Sequence, residues 1–187
     1  MGSTDRSGTV VLLSGPVGAG KTTLAEELIV KRGFKRIFTR DAILRRIPDT
    51  PHTRLGLQAA GERLDSETGG RWVADELKDV IARGQGARGI VVDAVLIPAQ
   101  VAAIRNMAKR PVVHVHLTAP RHTLESRYAN KRGGIQEADR YSDLLRSATE
   151  ANVDQLSELA DVVVDTSATP LQDEIDQVQR RLDQAAI

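Results

Sequence analysis

Residues Gly15-Pro16-Val17-Gly18-Ala19-Gly20-Lys21-Thr22 match the pattern G-x-x-x-x-G-K-[ST], a phosphate-binding loop, and this one octet limits what the chain can fold into. The flanks agree with it. Val10-Val11-Leu12-Leu13 is a short apolar run suited to a buried strand, and Thr22 to Ile29 has helical apolar spacing. Strand, glycine loop and helix in that order form an anion cradle: backbone N–H groups turn inward and the helix N-terminus adds partial positive charge. Gly15, Pro16, Val17, Gly18, Ala19 and Gly20 line that cradle. Lys21 reaches for the β- and γ-phosphates of a nucleotide, and Thr22 offers its hydroxyl to Mg²⁺. Thr23 adjoins the cradle and packs or caps.

The loop predicts nucleotide binding but not its use, so the remaining strand ends matter. Lys31-Arg32-Gly33 reads as a helix stop, and Phe34 to Thr39 as a second strand ending in Thr39-Arg40-Asp41, with a helix from Ala42. Ligands of open α/β sheets sit at the carboxyl ends of strands, which puts Arg40 and Asp41 near the phosphate loop. Asp41 suits a base for a substrate hydroxyl, a holder of a Mg²⁺ water, or a helix N-cap. Arg40 suits a grip on an acceptor phosphate or a solvated surface position.

A long interval follows before the next strand. It holds a loop with Pro48 and Pro51, a helix from Arg54 to Asp65, a break at Ser66 to Gly70, and a helix from Arg71 to Arg83. An inserted helical lobe over the strand ends, about residues 41–83, is expected to cover an acceptor. Arg54 and Arg63 are its phosphate candidates and Gln58 its base-edge candidate; each reads equally as an exposed helix residue. Trp72, the single tryptophan, reads as a core anchor ahead of a base-stacking platform.

Gly89-Ile90-Val91-Val92-Asp93 is an apolar strand ending in an acid, the position from which a carboxylate assists Mg²⁺ directly or through water. Pro98 opens a helix to Met107, and Pro111 to Leu117 is a fourth strand. Its His114 and His116 share one face; a third metal ligand is not evident, so they read as satisfied polar positions. A helix from Thr118-Ala119-Pro120 becomes cationic at Arg127, Lys131 and Arg132 and breaks at Gly133-Gly134, which suits a lid over about residues 127–138. A helix over Asp139 to Leu159, a fifth strand Ala160 to Asp165 and a final helix from Pro170 to about Ala185 complete the chain. Continuous apolar strands alternating with helices predict a parallel sheet covered on both faces.

Composition narrows the rest. A chain of 187 residues suggests one domain over residues 9–187, with residues 1–8 a disordered lead-in. A net charge of +1 gives no general argument for nucleic acid or membrane partners. The lack of cysteine excludes thiol nucleophiles and thiolate metal sites, and no apolar run approaches the ~18 residues of a membrane span. With no signal-peptide core at the start, a cytoplasmic location is expected.

Taken together, the loop, Thr39-Arg40-Asp41, Val91-Val92-Asp93-Ala94-Val95 with Ile104-Arg105, and Leu117-Thr118-Ala119 with Leu124 and Arg127 resemble the P-loop nucleoside and nucleotide kinase group. That group includes adenylate kinase, deoxynucleoside monophosphate kinase and shikimate kinase. The resemblance implies a P-loop NTPase fold with a five-stranded sheet ordered 2-3-1-4-5, and an arginine-rich lid. It implies that Arg127 packs on the ATP adenine and that Arg132 is the lid arginine. It further implies that Arg140 and Arg146 bind the transferring phosphate or the acceptor. Lys21, Asp41, Arg132 and Arg140 are then the expected catalytic group. Arg40, Arg54, Gln58, Arg63, Asp93 and Arg146 are the expected acceptor group, with Thr22 and Asp93 serving the metal. The expected reaction moves the γ-phosphate of Mg-ATP to a nucleotide or nucleoside acceptor, in a monomer or homodimer. Both Asp41 and Arg40 are present, so a hydroxyl and a phosphate acceptor both stay open, as does a small-molecule hydroxyl kinase. The competing reading is a non-catalytic ATP-dependent switch. The N-K-x-D element of GTPases is not found.

Overall fold

The computed structural model describes residues 8–85, 88–130, 141, 153 and 155–185. Its centre is strand β1 (Thr9–Ser14), in which every residue is buried. Alternate side chains of β1 enter two different cores: Val11 and Leu13 join one, Val10 and Leu12 the other. A strand divided this way must have helices on both faces. The partners are β2 (Lys35–Phe38), β3 (Gly89–Asp93), β4 (Val112–Thr118) and β5 (Val162–Asp165). All pairings are parallel and the order is β2-β3-β1-β4-β5, as expected.

One face is covered by α1 (Lys21–Arg32) and by the helix after β5, Leu171–Ala185, here α8. These contribute Leu24, Leu28, Ile175, Val178 and Leu182 to the first core. The other face is covered by α2 (Thr39–Arg46), α3 (Arg54–Thr68), α4 (Arg71–Ala82) and α5 (Pro98–Met107). They bring Ile43, Leu57, Leu64, Trp72, Leu77 and Ile104 to the second. Two shorter helices, α6 (Arg121–Ala129) and α7 (Gln155–Glu158), complete the described elements.

Three features differ from the sequence expectation, each for a local reason. The second strand stops at Phe38 and α2 begins at Thr39, so Arg40 and Asp41 lie inside its first turn. Thr39 Oγ1 donates to the Asp93 carbonyl (3.3 Å) and accepts from the Ala94 N–H (3.1 Å), which pins the helix start to the neighbouring strand. Helix α3 runs past Ser66 to Thr68, and the break falls only at Gly69 and Gly70, which have φ of 61° and 77°. Strand β5 is not buried throughout. It is an edge strand: Val164 packs under α8 while Val163, on its other face, is exposed.

The histidine pair of β4 is joined through Ser14. Ser14 Oγ lies 2.7 Å from His114 Nε2 and 2.9 Å from His116 Nδ1, with all three residues buried. A hydroxyl can donate to one ring nitrogen and accept from the other, which satisfies His114 Nε2 and His116 Nδ1, while His114 Nδ1 is buried without a hydrogen-bond partner among the described residues. Burial first, then the positive charges of Arg105 and His116, lower the His114 pKa from 6.5 to about 4, against opposing pulls from the Leu159 backbone and, less, from Asp161. In the unfolded chain this histidine titrates near its ordinary ~6.5. Between those two values the unfolded state binds a proton that the folded state refuses. The contribution is therefore complete above pH ~6.5 and is lost as pH falls toward ~4, on the order of 3 kcal/mol in all. The thermal midpoint of His114→Gln is expected to fall less steeply than wild type across that window. Equal slopes would remove His114 as the cause.

Candidate active site

The phosphate loop spans Gly15 to Lys21 between β1 and α1. Gly15 has φ of 132°, and a Cβ there would collide with the Leu117 carbonyl oxygen on β4. Only glycine lets the loop leave β1 this close to its neighbour. Helix α1 then starts at Lys21, so its first N–H groups face the loop. Lys21 Nζ donates to the carbonyls of Gly15 (2.6 Å) and Pro16 (2.8 Å), which draws the ammonium over the loop.

A cavity of about 640 Å³ opens above this loop, and Thr22 and Thr23 line it beside Lys21. Because β1 is central, the cavity has two flanks. On the β3 side lie Arg54 and Leu96; on the β4–β5 side lie Arg127, Thr166, Leu171 and Glu174.

The β3 flank is braced by a buried relay. The Leu96 N–H donates to Gln100 Oε1 (2.8 Å), and Gln100 Nε2 donates to Asp65 Oδ1 (2.8 Å). Trp72 Nε1 donates to the same oxygen at 2.7 Å. Trp72 is 1% exposed, so it anchors the core and stacks on nothing in the cavity. Burial raises the Asp65 pKa, and the two donated hydrogen bonds oppose that.

The opposite flank is held by Arg127. Its Nη1 donates to the Gly18 carbonyl (3.3 Å) and Thr166 Oγ1 (2.7 Å), and its Nη2 to the Thr166 carbonyl (2.8 Å). In-plane donors are thus spent on tying the phosphate loop to the tip of β5, and the guanidinium is fixed in orientation. Tyr141 also returns to the loop: its hydroxyl donates to the Val17 carbonyl (3.3 Å), and its ring meets Tyr128 edge-on at 5.6 Å.

Other expected site residues are placed differently. Asp93 sits at the β3 tip, but its carboxylate forms an ion pair with Arg36 of β2. Arg36 is itself buried and lies 4.0 Å over the Phe38 ring. Arg40 Nε pairs with Asp41 Oδ1 at 3.1 Å, both side chains about half exposed at the β2 tip, outside the cavity lining. Asp41 is not the helix cap; Phe38 holds that position and makes no side-chain cap bond. Gln58 donates to Glu62 (3.1 Å) and Arg63 to Glu67 (2.7 Å), within α3 and away from the cavity. Arg132, Arg140 and Arg146, with most of the expected lid, lie outside the described residues. Arg36, Tyr141, Thr166 and Glu174 were missed from sequence. The one available signal was an arginine inside the otherwise apolar end of Phe34-Lys35-Arg36-Ile37-Phe38.

Among the described residues no group of three or more His, Asp or Glu could cage a metal. The polar groups at the loop do suit a Mg²⁺ carried largely by phosphates and water, which asks the protein for only one or two oxygens. Thr22 supplies a hydroxyl at the cavity wall, and Asp93 is an acid at the adjoining strand tip, held by Arg36. No helix among the described residues is long and apolar enough to cross a membrane.

A phosphate loop on the central strand of a 2-3-1-4-5 parallel sheet, flanked by two differently furnished walls, is the arrangement of the P-loop small-molecule kinase group. The chain belongs to the AAA domain family, whose pattern matches residues 10–159. Among curated proteins it is similar to an adenylate kinase of Novosphingobium aromaticivorans, 37% identical over 82 residues, or 41% of this chain and 37% of that one. An adenylate kinase of Mycolicibacterium smegmatis is 39% identical over 88 residues, or 44% and 45% of the two chains. The matched stretch thus spans less than half the length of these relatives. Among solved structures, a sugar kinase from Janibacter sp. is similar in fold with a TM-score of 0.65, 21% identity and 96% of each chain covered. A gluconokinase from Sinorhizobium meliloti gives 0.60, 20% identity, and 98% and 95% coverage of this chain and that one. A shikimate kinase from Acinetobacter baumannii gives 0.51, 20% identity, and 95% and 92% coverage.

Proposed function

We propose that this protein is an ATP-dependent kinase that moves the γ-phosphate of Mg-ATP to a nucleotide or nucleoside acceptor, at its phosphate or a sugar hydroxyl. The observation that carries this reading is the cavity over the phosphate loop, in which Lys21 stands between two walls. A donor nucleotide would lie along the β4–β5 wall with its base toward Arg127, and an acceptor along the β3 wall toward Arg54. Lys21 would exchange its two loop carbonyls for phosphate oxygens and offset charge that shifts in the transition state. Thr22, assisted by Asp93, would hold the Mg²⁺, which when bound neutralises the phosphate oxygens. Arg132, Arg140 and Arg146 are assigned to the lid and acceptor phosphates on the resemblance alone. The domain is read as residues 9–187, with the acceptor-covering lobe at about 41–83 and the lid at about 127–138, in the cytoplasm. The acceptors are small molecules and not nucleic acid.

A second reading has its own support. Asp41 presents a half-exposed carboxylate at a strand tip, and the solved structures of similar fold include a sugar kinase and a gluconokinase. A small-molecule hydroxyl acceptor with Asp41 as base fits both. Incubation with Mg-ATP and a panel of nucleosides, nucleoside monophosphates, sugars and small alcohols, read by phosphorus NMR, tests the two together. A new phosphomonoester or phosphoanhydride signal names the acceptor. No transfer to any member of the panel overturns both readings and leaves the switch module.

A further inference from the structure

Helix α8 begins beside the cavity and carries two acids in its first turn, Asp173 and Glu174. Either would suit the positive end of the helix. Asp173 is exposed and can serve that purpose from solvent. Glu174 instead occupies the buried stripe, one helical turn before Val178 and two before Leu182, where the core opens into the cavity. It is only 6% exposed. Among the described residues no hydrogen bond or ion pair reaches its carboxylate, and Arg127, whose charge bears on it, turns three of its five N–H groups to Gly18 and Thr166 instead. The carboxylate faces the cavity, so a ligand that enters and displaces water from it must supply a donor in its place.

The wall therefore offers a planar guanidinium, held rigid, and beside it an acceptor looking for N–H groups. A flat heteroaromatic ring with an amine on its rim meets both: its face lies on the guanidinium and its edge meets the carboxylate. We infer that Glu174 reads the amine-bearing edge of a purine base on the donor nucleotide and sets which base the site accepts. This rests on the donor-nucleotide reading above. Burial raises the Glu174 pKa, with Arg127 opposing, so the group is sensitive to whether a donor is present. Adenine offers its 6-amine and guanine its 2-amine, and the same carboxylate chemistry serves either.

The test measures binding of four triphosphates to the full chain by calorimetry. ATP is paired with purine riboside triphosphate, which lacks the 6-amine, and GTP with inosine triphosphate, which lacks the 2-amine. Wild type is expected to favour the amine-bearing member of one pair by about tenfold or more, as for a hydrogen bond to a charged group. Which pair shows the preference distinguishes adenine from guanine. In Glu174→Ala that ratio is expected to fall to within about twofold, and Glu174→Gln, which keeps a carbonyl acceptor, to retain part of it. Each ratio compares two ligands on one protein, so a modest loss of stability does not disturb it. Ratios near one in wild type, or a ratio unchanged in Glu174→Ala, overturn the inference and leave nucleotide binding standing. If none of the four binds, the donor reading fails and this inference with it.

Discussion

Lys21→Ala is expected to lower kcat for transfer from Mg-ATP by about a hundredfold or more, while the thermal midpoint stays close to wild type. The ammonium is the one cation in the loop itself, and it is drawn over the loop by two backbone carbonyls. Removing it deletes a charge aimed at the place where phosphate charge builds up, and single donors of that kind contribute ~10²–10³ in rate. The fold has less at stake. Gly15 is set by its approach to Leu117 and α1 by the packing of Leu24 and Leu28, neither of which involves the ammonium. The check is steady-state kinetics with the acceptor found by the panel, alongside thermal unfolding. Turnover within tenfold of wild type would remove Lys21 from the chemistry and the kinase reading with it.

At the β2 tip, Asp41→Asn and Arg40→Ala are expected to separate the two kinds of acceptor. A hydroxyl must lose its proton as it attacks, and a positioned base contributes ~10²–10⁴. A phosphate acceptor is already anionic and gains more from a guanidinium. A loss of kcat of about a hundredfold or more in Asp41→Asn, with a mild effect of Arg40→Ala, identifies a hydroxyl acceptor. The reverse pattern identifies a phosphate acceptor and ends the role of Asp41 as base. The two side chains are paired at 3.1 Å, so each single change also releases the other partner. The double variant is needed to subtract that coupling.

How much of this was readable in advance depended on how local the signal was. The phosphate loop and α1 are written in one continuous stretch, where glycine spacing, lysine and helical periodicity agree, and they stand as expected. The parallel sheet followed from apolar strands alternating with helices, and its order came from the resemblance. The wall on the β3 side was harder, because helical spacing does not say which polar face turns inward. Arg54 lines the cavity, whereas Gln58 and Arg63, one and two turns on, are held by Glu62 and Glu67 along the helix. The Arg36–Asp93 pair joins residues from different strands, and nothing near either one announces the other. Glu174 was hidden for the opposite reason: an acid in a first turn already has an ordinary explanation, and only its burial beside the cavity sets it apart from Asp173.

The two walls of the cavity also come from separate stretches of chain. Arg54 and Leu96 precede β4, whereas Arg127, Thr166 and Glu174 follow it, and the phosphate loop is the region they share. Each wall can therefore drift by substitution or insertion without rewriting the residues of the other. On the kinase reading proposed above, a lineage built on this plan could change what is phosphorylated while keeping its phosphate source, or change the source while keeping the product.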